Sequence, residues 1–131
     1  MNTLSSAIRL GATLRPQAFG QFFQICNGVK CSCVIGAAIE GMELQSPPQG
    51  FLEWLLNCFK QGEVSRFNRL ERQFPILNEY VDWPVESAHA QAKTVLIMAD
   101  LNDKHHWSRE RIADWIETIE GKKQERGTDR D

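Results

Sequence analysis

The residues whose chemistry could bind an ion or move a proton are four cysteines and three histidines. Cys26, Cys31 and Cys33 form a C-x4-C-x-C spacing around Asn27-Gly28. That dipeptide is a strong two-residue hairpin signal, because both turn positions need positive φ. In such a hairpin Cys26 opposes Val29, Gln24 opposes Cys31 and Phe22 opposes Cys33. Alternation then puts all three thiols on one face beside Phe22 and Val29. Converging thiolates would suit zinc, with His89, His105 or Cys58 as a fourth ligand. Structural zinc sites more often pair ligands at C-x2-4-C spacing. The apolar neighbours predict the other outcome, a buried face whose thiols pack as small hydrophobes.

His105 and His106 sit in the polar run LNDKHHW. A loop His beside a carboxylate such as Asp103 could act as acid, base or ligand, but catalysis needs its groups at defined positions and no nucleophile flanks these residues. The structural expectation is that Asn102 and Asp103 end a helix while Trp107 anchors the loop. The chain has no phosphate-binding glycine loop, no H-E-x-x-H and no G-x-S-x-G, so no catalytic residue is assigned and an enzyme is not expected. A candidate partner-binding cluster remains. Lys60, Arg66, Arg69 and Arg72 surround a helix whose acids are Glu63 and Glu71, and they would meet an acidic protein or phosphates. Fifteen basic residues against seventeen acidic ones give a net charge of -2, which argues against a strongly basic nucleic-acid binder. Glu110, Asp114 and Glu117 on the last helix would repel phosphate as well.

The elements that must position these residues follow from apolar spacing over 131 residues, a length suited to one domain. Six helices are predicted, with one short hairpin near the N-terminus. Leu4, Ala7, Ile8 and Gly11 stripe the first helix, and Val34, Ala37, Ala38 and Gly41 the second. Small residues in mid-stripe predict close approach of these two. FLEWLLNCFKQG forms a third, with Cys58 in its stripe and Gly62 as C-cap. EVSRFNRLERQF forms a fourth, ending at Pro75. A fifth follows Pro84, striped by Val85, Ala88, Ala92, Val95, Leu96 and Ala99. The sixth starts after the N-cap Ser108, is striped by Ile112, Trp115, Ile116 and Ile119, and ends at Gly121. Residues 1–121 thus read as one compact helical domain and 122–131 as a disordered charged tail. Trp54, Trp83, Trp107 and Trp115 are expected to be buried or anchoring. Were Trp54 or Trp115 on an open patch, that patch would be a docking surface.

AIRLGATLRPQAFGQFF with CSCVIGAAIEGM resembles the front half of a family of small, uncharacterised bacterial and prophage proteins. LNDKHHWSRERIADWIETIE resembles that family's C-terminal signature, L-N-D-x-H-x-W leading into [ST]-R-E-x-I-A-D-W. The family's members often carry C-P-x-C upstream and a His before L-N-D, a zinc-knuckle-like set. The matching places here are Phe74-Pro75-Ile76-Leu77 and Asp100, leaving only His105 of the ligands. The resemblance therefore implies a clamp made by apolar packing instead of metal. It also implies a phage or mobile-element protein, for which inhibition of a host defence complex would fit the size.

No run approaches the ~20 apolar residues of a membrane span. Arg9, Gly11 and Arg15 interrupt any signal-peptide core, and four cysteines without such a segment point to free thiols and a cytoplasmic setting. The first expectation is a non-catalytic regulatory protein with a protein partner. A nucleic-acid-binding regulator is the second, and a small zinc protein using the hairpin cysteines the third. A homodimer would cover any apolar face left bare.

Overall fold

The computed structural model describes residues 2–45, 62–86 and 90–128. Helix α1 (Leu4–Ala12) starts where Thr3 and Ser6 cap each other reciprocally, each side chain accepting from the other's backbone N–H. It buries Leu4, Ala7, Ile8 and Gly11, the stripe read from the sequence. The strands β1 (Phe23–Cys26) and β2 (Val29–Ser32) pair antiparallel about Asn27 at φ 52° and Gly28 at φ 79°. Their register sets Cys26 against Val29 and Gln24 against Cys31, as the two-residue turn requires.

Helix α2 (Val34–Gln45) runs antiparallel to α1, and the two touch backbone to backbone. A Cβ on Gly11 would collide with the carbonyl of Ala37, and one on Gly41 with the carbonyl of Ala7. The contact is reciprocal. The small residues of each stripe let the other helix in, as their spacing predicts.

Helix α3 (Glu63–Gln73) leads through a 3-10 turn (Pro75–Asn78) into β3 (Tyr80–Asp82), which pairs with β4 (Gln91–Lys93). Helix α4 (Thr94–Asp103) and helix α5 (Arg109–Thr128) complete the order. The described chain is thus mainly helical with two small antiparallel hairpins. Five α-helices are present among the described residues. The expected FLEWLLNCFKQG helix lies outside them, except for Gly62, which has extended backbone angles and stands at the N-cap of α3.

Two expectations need correction. The fifth helix does not begin after Pro84, because Gln91–Lys93 form a strand and the helix starts only at Thr94. Thr94 is fixed there by two bonds to the Glu79 carbonyl, from its backbone N–H and its hydroxyl. Val95 of the expected stripe is buried, together with Thr94, Ile97, Met98, Leu101 and Asn102, while Leu96 is 60% exposed. The last helix does not stop at Gly121 but continues to Thr128.

One core joins these elements. Ile8, Ile39, Met42, Leu70, Leu77, Ile97, Met98, Leu101, Ile112 and Ile116 are all within 1% of full burial. Phe74 and Leu77, the places that the family resemblance gives to cysteines, belong to it. No helix among the described residues is long and apolar enough to cross a membrane.

Candidate functional site

The two stretches singled out by resemblance meet in space. Residues 15–20, the base of β2 and the segment 101–111 form a polar junction built around Asn102 and Arg109, which are 1% and 8% exposed. Asn102 sits in the last turn of α4, on the helix's buried face. Its Oδ1 accepts from Gln17 Nε2 at 2.9 Å and from the Val34 backbone N–H at 3.1 Å. The latter contact satisfies one of the first N–H groups of α2, a role that a local cap residue usually fills. Asn102 Nδ2 donates to the Ala18 carbonyl and to Asp103 Oδ1. Asp103 Oδ1 accepts from the Gly20 N–H, and Gln17 Nε2 also donates to the Trp107 carbonyl. The side-chain amide of Asn102 therefore ties three segments distant in sequence.

Arg109 opens α5 and points into the same junction. Its guanidinium donates to Ser32 Oγ at 3.0 Å, to the Ser32 carbonyl, and to the carbonyls of Ala12 and Arg15. A cation at the carbonyl end of α1 is favoured by that helix's dipole. Burial lowers its pKa, while nearby thiols and Glu40 act in the opposite direction. Arg15 itself holds the nearly buried Glu40 through Nε, at 2.8 and 2.9 Å. A parallel bridge between Gln17 and Ser32 closes the junction, with Ala18 N–H donating to Ser32 O and Ser32 N–H to Pro16 O.

The histidines lie at the rim. His105 is exposed, with Nε2 3.6 Å from Asp100 Oδ2, and His106 stacks on Phe19 at 4.5 Å between ring centroids. Asn102 and Asp103 end α4, and Trp107 packs against the core beneath the Arg111 guanidinium, 3.7 Å away. The loop is thus fastened as its sequence suggested. His89 lies outside the described residues.

The hairpin thiols divide. Cys31 and Cys33 are buried, Cys26 is half-buried, and Val29 at the tip is 52% exposed, so the expected buried face is buried only at its base. Cys33 is the first residue of the turn into α2, with its sulfur 3.5 Å from the Gly36 N–H and its carbonyl bonded to the Ala37 N–H. Burial pushes its thiol pKa up, partly offset by the N–H groups of Gly36 and Ile35. The thiol of Cys26 is raised by its hydrogen bond to Cys31. Among the described residues no three His, Cys, Asp or Glu side chains gather in a way that could hold an ion. Cys58 lies outside them.

Arg66, Arg69 and Arg72 recur at every third position along α3. Arg66 donates to Glu43 at 2.5 and 3.1 Å and stacks over Phe23, whose ring also carries Lys30 Nζ at 4.6 Å. Arg69 is half-buried, Arg72 is exposed, and Lys60 lies outside the described residues. Glu110, Asp114 and Glu117 surround Arg9 of α1, with its Nη2 2.8 Å from Asp114 and 2.7 Å from Glu117. That acidic face serves a helix–helix contact. Nearby, Glu120 accepts from the Leu4 N–H and the Ser5 hydroxyl, capping α1 from across the bundle.

Sequence reasoning placed Asn102 and Arg109 inside a signature without showing what they hold. Apart from Asp103, beside Asn102, their partners lie 68 to 97 positions away, so no local spacing could reveal them. Among known proteins, no family model, no curated protein and no solved structure matches this chain.

Proposed function

We propose that the protein is a non-catalytic binding protein that works by docking on a macromolecular partner through the β1–β2 hairpin tip and the adjoining basic side of α3. The observation that carries this reading is the tip itself. Ile25 is 68% exposed on the face that carries the Phe23 ring and its two cations, and Val29, on the other face of the turn, is 52% exposed. Apolar side chains held out by a hairpin and rimmed by positive charge have the composition of an interface centre. The residues with chemical potential support the same reading, since Asn102, Asp103 and Arg109 are committed to internal hydrogen bonds. A partner with an acidic margin around an apolar recess would complement the tip.

The test is capture from cell extract by the full chain, side by side with an Ile25→Ser/Val29→Ser variant. A single stoichiometric protein that the variant loses, with helicity unchanged, is the expected result. Capture that ignores the two substitutions overturns the hairpin surface. Retention of nucleic acid with a steep salt dependence would replace the reading with the nucleic-acid one.

A further inference from the structure

Three of the chain's five tryptophan and tyrosine residues line one open groove of about 970 Å³, away from the hairpin tip. They are Tyr80, Trp83 and Trp115. One wall runs from Asn78, the last residue of the 3-10 turn, through β3 to Pro84. The other is a single face of α5, where Trp115, Thr118, Ile119 and Lys122 repeat at i, i+3, i+4 and i+7. The Lys123 ammonium bonds Glu79 at 2.9 Å and joins the two walls. Tyr80 stays 64% exposed beside this groove.

We propose that this groove binds an extended, proline-bearing peptide segment of a partner protein. Its charges decide between classes of occupant. Glu79 and Asp82 face Lys122 and Lys123, so a polyphosphate strand would meet as many carboxylates as ammonium groups. A peptide backbone is neutral and carries both donors and acceptors, which suits a rim of mixed sign. The aromatic faces favour proline in particular. Its ring packs flat on indole and phenol, and a polyproline II segment is already extended, so little chain entropy is lost on docking. An open trough beside a strand also matches a linear chain better than a compact molecule, which would leave much of its surface in water.

The inference shares with the proposed function only the premise that the chain acts by binding, and it uses none of the hairpin residues. The test is a titration of the 15N-labelled full chain with blocked deca-proline, a Gly-Ser peptide of equal length and oligothymidylate. Saturable shifts confined to amides 79–84 and 115–123 with deca-proline alone are the expected result. Tyr80→Ser, at an exposed position that leaves the fold intact, is expected to weaken binding about fivefold or more. The Ile25→Ser/Val29→Ser variant binds deca-proline normally, so failure of the groove is distinguishable from failure of the hairpin. No shift at millimolar deca-proline, equal shifts with the Gly-Ser peptide, shifts driven by oligothymidylate, or indifference to Tyr80→Ser would each overturn the proposal.

Discussion

Asn102 shows how much one amide can hold. Replacing it by Ala strands the Val34 N–H and the Ala18 carbonyl, and an unsatisfied buried polar group costs about 1–3 kcal/mol. Asn102→Ala is therefore expected to lose about 2–5 kcal/mol of stability, read as a fall in the urea midpoint. Arg109 makes a related prediction. Lysine keeps the charge but not the planar fork that reaches Ser32 and two carbonyls of the α1 end. Arg109→Lys should destabilise the fold nearly as much as Arg109→Met, whereas equal stability with the native chain would mean that charge alone matters. Cys33 adds a pH dependence. Its folded pKa is raised, so its contribution is complete below the ordinary thiol value near 8.5 and is lost as pH rises beyond it. Cys33→Ser retains a side-chain acceptor for the Gly36 N–H and removes the titrating thiol. Its stability is expected to fall less steeply than the native chain's across the alkaline range in urea titrations at several pH values.

Elements follow local pattern where their packing is local. The Asn27-Gly28 turn, its register and the small-residue faces of α1 and α2 were legible because each rests on residues within one turn or one stripe. The second hairpin was not. Its strands are three residues long, and Ala92 reads as naturally in a helical stripe as in a strand. What fixes β4 is the tie from Thr94 to Glu79, fifteen positions away, which no periodicity reports. The polar junction and the groove were hidden for the same reason, each being assembled from distant segments. Two glycines give opposite predictions. Gly11→Ala drives a methyl into the Ala37 backbone and is expected to cost at least about 1–3 kcal/mol. Gly121→Ala, inside α5 with open space around it, is expected to gain about 0.5–1 kcal/mol. Thermal melts of the two variants should move in opposite directions.

At the scale of the molecule, α1 and α5 close the fold on itself. Leu4 is fully buried, Glu120 caps its helix, and Arg9 sits among three carboxylates of α5. Deleting residues 2–5 removes the buried Leu4, the Thr3 cap and the Ser5 partner of Glu120 together. The expected outcome is loss of the cooperative melting transition by circular dichroism, not fraying of one helix. A truncated chain that melted as cooperatively as the whole would show that α1 is dispensable.

The network around Asn102 also has a historical consequence. Gln17, Asn102 and the loop carbonyls they share form a lock with matched parts, so replacing one part alone leaves its mates without a counterpart. In descendants of this gene, drift at position 102 should therefore appear coupled to drift at position 17, despite a sequence separation of 85.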